Sequence, residues 1–214
     1  MSNWISKFGN DYNDRNNDDG WIDRNYWMFS KAYPYLHNVE TIMELGCNVG
    51  FALKAFKKLF PDSKVWGYEI NATAVQTANK NGIRAIQWDI REPIAQIADL
   101  VFTRGVLIHI SPDDLDRVYE NLHNCSKKYI LIAEYYNPIP VSVLYHGRTD
   151  MLWKRDFMGD LMDKYPDLKL IKYGFVYHRD IFPQDDITWA LFEKTKIEEV
   201  SVNGDVTESN DTRY

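Results

Sequence analysis

Three carboxylates recur through the first half of the chain, each at the end of an apolar run: Glu44 in VETIMELGC, Glu69 in SKVWGYEI and Asp89 in IRAIQWDI. A fourth apolar stretch, ADLVFTRGVLIHI, contains Thr103 and Arg104 and ends near His109; a fifth, KKYILIAEYY, ends in Glu134, Tyr135 and Tyr136. Carboxylates accept bonds from ligand hydroxyls and amines, and a His, Glu or Tyr beside them can move a proton. After Glu44 comes a turn, Gly46-Cys47-Asn48-Val49-Gly50. A triphosphate loop needs GxxxxGK[ST], with a lysine on the phosphates and a hydroxyl on magnesium. Here Phe51 and Ala52 follow Gly50. A dinucleotide turn needs GxGxxG, whose second glycine lets the backbone reach the pyrophosphate. Asn48 and Phe51 stand in the second and third glycine slots. The turn is therefore suited to a ligand that brings no phosphate to it, and Glu44 can face a cation.

The elements that would position these groups alternate. Residues 39–47 read as a buried strand. Residues 50–60 read as an amphipathic helix with lysines on its outer side, stopped by Pro61. Residues 63–70 form the second strand, 71–82 a helix closed by Asn-Gly, 83–90 the third strand, and 98–110 contain the fourth. Residues 111–125 form a helix with Ser111 as N-cap, Pro112 in its first position and acids in its first turn. Residues 127–136 are the fifth strand. This spacing implies parallel βαβ units and a doubly wound α/β sheet. Two further strands, 168–178 and 186–194, are joined by RDIFPQD, too short for a helical crossover, so they form an antiparallel hairpin at one edge. Three carboxylates at consecutive strand ends then share the carboxyl edge, where open parallel sheets hold ligands.

The 214 residues read as one domain with short extensions. Apolar residues make up 45% of the chain, enough for a core. A net charge of −6 argues against a general nucleic-acid binder. There is no run long enough for a membrane span and no apolar signal-peptide core. Cys47 and Cys125 lie outside any CxxC pair and read as reduced thiols of a cytoplasmic protein. The histidines are scattered, zinc-type spacing is absent, and no metal site is expected. Residues 1–35 are rich in aromatic and acidic groups and form either a helical cap or a lid. Residues 195–214 are polar and acidic, a loose tail.

The turn Glu44 to Gly50 resembles the E/DxGxGxG turn of class I S-adenosylmethionine-dependent methyltransferases, with Asn48 in the middle glycine slot. The resemblance implies a seven-stranded Rossmann-like sheet in the order 3-2-1-4-5-7-6, strand 7 antiparallel, with helices on both faces. It implies S-adenosylmethionine as cofactor. Glu44, Gly46, Cys47, Asn48 and Gly50 would meet its methionyl portion, Glu69 its ribose, and Asp89 with Ile70 and Ile90 its adenine. Thr103 and Arg104 would lie at the same edge, and Tyr12 and Arg15 would close over the cofactor from the N-terminus. More narrowly, FGNDYNDRN, TRGVLIHISPD, EYYNP, HGRTDMLWKRDF and YGFVYHRD resemble the pseudaminic acid biosynthesis-associated methylases, which implies a hydroxyl or amine of a sugar or sugar nucleotide as acceptor.

An acceptor of that kind needs alignment and removal of a proton. His109 is the first candidate base, although a lone His in an apolar stretch is as readily a satisfied core residue. Glu134 and Tyr135 come next. Residues 137–166 occupy the place of an acceptor-binding insertion. Their His146, Arg148, Lys154 and Arg155 form either a pocket for an anion, such as an anionic sugar derivative, or a charge-balanced surface with Asp150, Asp156, Asp160 and Asp163. Tyr136 could stack on a sugar ring and His178 could face the site. Two competing readings are a nucleic-acid methyltransferase and a non-catalytic binder of the same cofactor. The first lacks the [DNS]PP[YFW]-like tetrad after the fourth strand.

Overall fold

The computed structural model describes residues 4–5, 9–11 and 18–195. Tyr12, Arg15 and all of the predicted tail beyond Thr195 lie outside the described residues. After helix α1 (Gly20–Ser30) the chain alternates: β1 (Thr41–Leu45), α2 (Phe51–Leu59), β2 (Lys64–Glu69), α3 (Ala72–Lys80), β3 (Arg84–Gln87). It continues through β4 (Ala98–Arg104), a 3-10 turn (Leu107–His109), α4 (Pro112–Asn124) and β5 (Ser126–Glu134). Then come a small ribbon of β6 (Val141–Ser142) and β7 (Trp153–Lys154), α5 (Phe157–Lys164), β8 (Leu168–Val176) and β9 (Ile187–Lys194).

Seven strands form one sheet in the order β3-β2-β1-β4-β5-β9-β8. The first five are parallel, and β9 runs antiparallel to both β5 and β8. This is the doubly wound order that the sequence implies, edge hairpin included. Side chains of β1 and β4 alternate between two cores, because a strand's side chains point to opposite faces with period 2. Ile42, Leu100 and Phe102 pack under α1–α3 with Phe29 and Phe56. Met43 and Val101 pack under α4 and α5 with Val118, Leu122 and Leu161. A sheet buried on both faces explains why its central strands read as unbroken apolar runs.

Two local expectations are corrected. The third strand stops at Gln87, short of the predicted residue 90. As the edge strand it pairs only with β2. Ser111 occupies the N-cap position of α4, but its hydroxyl makes no cap bond and instead meets the Asp114 carboxylate at 3.2 Å.

Candidate active site

A cavity opens at the carboxyl ends of β1, β2 and β4, roofed by the N-terminal segments. Glu44 is its buried floor, 3% exposed. One of its oxygens, Oε2, has no hydrogen-bond partner among the described residues. Burial pushes its carboxyl well above the usual range, and the nearby Arg104 charge offsets only part of that. Two more acceptors without a partner among the described residues belong to the same wall, Asn25 Oδ1 from α1 and Asn48 Oδ1 from the turn. Buried polar atoms are normally bonded, so three orphaned acceptors around one cavity describe a place for a donor-rich cation such as an ammonium.

The turn holds this geometry. Gly46 has φ +81°, and a Cβ there would sit 2.6 Å from Val106 Cγ2. Asn48, in the middle slot, has φ +44°, which Asn tolerates better than most residues. Its N–H donates to Glu69 Oε2 at 2.9 Å, and the Asn71 N–H donates to Oε1 at 2.9 Å. Burial raises the Glu69 carboxyl and these N–H bonds partly hold it down. Each oxygen keeps a further acceptor site, as a ribose diol requires. Asp89 lies beyond β3 on the cavity wall, gripped by Arg91 through Nε at 3.0 Å and Nη2 at 2.6 Å. Burial would raise its carboxyl, but Arg91 outweighs that and holds it below the usual range. Ile70, Ile90 and Trp88 add apolar walls.

His109 lines this cavity and an adjoining one that also includes Tyr135, Tyr145 and His146. Its Nδ1 lies 2.8 Å from the Met151 carbonyl. A carbonyl only accepts, so Nδ1 carries the proton and Nε2 keeps its lone pair. Burial lowers the imidazole to about 4, so it is neutral near pH 7. Trp4 packs against the ring with centroids 4.5 Å apart, and Tyr145 at 5.6 Å.

Arg104 also borders both cavities. Its Nε and Nη2 donate to Gln184 Oε1 at 3.2 and 2.7 Å, and its guanidinium lies 4.8 Å from the Trp21 ring centroid. Gln184 is buried and donates onward to the Arg24 carbonyl of α1 at 3.1 Å.

Of the predicted cofactor residues, Glu44, Gly46, Cys47, Asn48, Glu69, Ile70, Asp89, Ile90 and Arg104 share one cavity wall. Gly50 and Thr103 line neither cavity. Gly50, at φ +87°, starts α2, and a Cβ there would press on Ile83 at 3.0 Å. Thr103 lies one residue inside β4, paired with Ile132 and fully buried.

Glu134 also lines neither cavity. Its carboxylate turns under the loop after β4 and accepts from the N–H groups of Val106, Leu107 and Ile108 at 3.0, 3.1 and 3.4 Å. It fixes the turn that presents His109. Burial pushes its carboxyl up to about 7, against the pull of those three N–H bonds. An acid held above its free value of 4.5 binds its proton more tightly when folded. Its contribution to stability is therefore full below about pH 4.5 and lost as pH rises to about 7, a span of roughly 3 kcal/mol. Glu134→Gln is expected to remove that slope. Urea midpoints at pH 5 and 7.5 should fall with rising pH more for the parent than for the variant; parallel behaviour would contradict the assignment.

The predicted anion pocket does not assemble from the insertion. Arg148 is paired with Asp150 at 2.6 Å, and Arg155 lies 2.5 Å from the Asp160 carboxylate. Lys154 sits over the Tyr135 ring at 5.1 Å, and of the four basic residues only His146 lines either of these two cavities. Tyr136 is exposed and outside both cavities, and His178 is paired with Asp186 at 2.9 Å. Nearby carboxylates hold Arg148, Arg155 and His178. Sequence reasoning missed Trp21 and Asn25 of α1, Trp88 and Gln184. The dense aromatics of residues 1–35 were the available signal for the first pair.

Residues 43–128 match the family described as methyltransferase domain. No curated protein sequence matches the chain. Among solved structures the chain is similar to 1,6-didemethyltoxoflavin-N1-methyltransferase of Burkholderia thailandensis, solved with S-adenosylhomocysteine. That likeness has 13% identity and TM-score 0.69, covering 91% of this chain and 88% of that one. It is also similar to magnesium protoporphyrin IX methyltransferase of Synechocystis PCC 6803, at 12% identity and TM-score 0.68, covering 91% and 97%. A third is the plantazolicin methyltransferase BpumL, at 16% identity and TM-score 0.63, covering 91% and 93%. Residues 43–128 thus match a methyltransferase domain, within a chain that has the Rossmann-like methyltransferase fold.

Proposed function

We propose that the chain is an S-adenosylmethionine-dependent methyltransferase acting on a hydroxyl or amine of a small molecule, with a sugar or sugar nucleotide as the acceptor class. The carrying observation is the cavity wall itself, where unpartnered acceptors of Asn25, Glu44 and Asn48 stand beside the Glu69 carboxylate. That set fits the ligand: acceptors for an ammonium, a carboxylate for a ribose diol, apolar walls for an adenine, and, among the described lining residues, no lysine or hydroxyl cluster for phosphates. When bound, the cofactor supplies a methyl group activated by its sulfonium. The chain's part is to hold the acceptor in line, exclude water and take the acceptor's proton at His109 Nε2. Tyr135 and Tyr145, at the adjoining cavity, offer faces for a sugar ring. The sugar class rests on the resemblance of the segments around β4, β5 and the insertion, and the two buried, free cysteines suit a cytoplasmic setting.

The test is product formation. The purified protein is incubated with S-adenosylmethionine and a panel of sugars, sugar nucleotides, amines and short nucleic acids, and S-adenosylhomocysteine release is followed. Turnover with sugar compounds supports the reading. Turnover confined to nucleic acid or to non-sugar amines would overturn the acceptor class.

A further inference from the structure

We infer that Arg104, presented by Gln184, is an anion receptor that binds a carboxylate or phosphate end-on at the junction of the two cavities. A guanidinium has five N–H donors. Gln184 Oε1 takes one side of it, through Nε and Nη2. The Nη1/Nη2 end keeps three N–H donors, the fork that grips a carboxylate or phosphate with two parallel bonds. Among the described residues no carboxylate forms an ion pair with Arg104; its fixed partner is a neutral amide. Glu44 and Glu134 feel its charge without contacting it. Asp185, on the wall of the adjoining cavity, accepts from the Tyr135 hydroxyl at 3.1 Å.

The support around Arg104 is costly to build for packing alone. Gln184 is 2% exposed and links three separate parts of the chain: the end of β4, the β8–β9 connection and the backbone of α1. Trp21 is flanked by Arg104 and Arg24, each 4.8 Å from its ring centroid, which limits how far the guanidinium can swing. A carboxylate at position 184 would bind Arg104 as firmly but neutralise it. The amide holds the group in place and leaves its charge for a ligand.

This inference deepens the proposed function and rests on it for the ligand's source. The anion is either the methionyl carboxylate of the cofactor or an acidic group of the acceptor. The variants are Arg104→Gln and Gln184→Glu, the second nearly isosteric and placing a carboxylate on the Nε/Nη2 side, where it neutralises the charge left for a ligand. Calorimetry measures S-adenosylhomocysteine, 5′-methylthioadenosine, which lacks the methionyl carboxylate, and inorganic phosphate added to protein saturated with S-adenosylhomocysteine. Circular dichroism confirms that each variant is folded.

A loss of S-adenosylhomocysteine affinity of about 10- to 100-fold in both variants, with methylthioadenosine unchanged, supports the receptor and identifies the cofactor carboxylate. Unchanged nucleoside binding, with phosphate bound by the parent and not by the variants, supports it and identifies the acceptor. Equal losses for both nucleosides, or no difference in any titration, overturns it. If the parent binds neither nucleoside, the cofactor reading fails on its own, and phosphate titration of the free parent and variants still decides the role of Arg104.

Discussion

Gly46→Asp is expected to abolish S-adenosylmethionine binding while leaving the sheet folded. Three effects act together. The residue has φ +81°, where a side chain costs about 1–2 kcal/mol. Its Cβ would meet Val106 at 2.6 Å, in the same loop that Glu134 anchors and that carries His109. Its carboxylate would enter a wall where burial already pushes the Glu44 carboxyl well above its usual range. A second buried acid there raises the penalty for either one to ionise, so the site would lose the negative charge that attracts a cation. Gly46→Ala carries the first two effects without the charge and should fall between the two. Titration of both variants checks this, and retention of parent-like affinity by Gly46→Asp would remove the turn from the cofactor site.

His109→Gln is expected to slow turnover by about 10²-fold while S-adenosylmethionine affinity stays near that of the parent. Gln can keep a bond to the Met151 carbonyl but has no lone-pair nitrogen to take a proton. The size of the effect follows from the environment. Burial holds the imidazole at about 4, so it is a weak base and its contribution belongs at the lower end of the general-base range. The same value sets the pH profile. A His with a depressed pKa stays neutral as pH falls until about 4, so the parent's rate should be flat from about pH 6 to 8 and drop only below about 5. A full rate in His109→Gln would move proton removal to Tyr135 or to solvent. An acid limb near 6.5 would show that the imidazole is not held where the fold places it.

Much of this was legible in the sequence, for identifiable reasons. The parallel core followed from apolar runs separated by helical periods. The antiparallel edge followed from one number, the length of the link between the last two strands. The acids at the ends of β1 and β2 and beyond β3 were legible because a carboxylate that closes an apolar run has few places to go other than the sheet's ligand edge. Side-chain direction was not legible. Glu134 also closes an apolar run, yet it turns under a loop to meet three N–H groups instead of facing the cavity. Thr103 and Arg104 are neighbours, and the pleat buries one and sends the other to the cavity. The basic residues of the insertion were read as a cluster, but ion pairs with Asp150 and Asp160 set where two of them end up. Gln184 escaped notice because it acts through contacts across distant segments, which no local spacing encodes.

The central claim is that the turn from Glu44 to Gly50 and the carboxylates beside it hold S-adenosylmethionine. Calorimetric titration of the purified protein with S-adenosylmethionine, S-adenosylhomocysteine, NADH and ATP, with no acceptor present, tests it most directly. The account predicts micromolar binding of the first two and none of the others. Binding of NADH or ATP in preference to them, or no binding of S-adenosylmethionine, would contradict it.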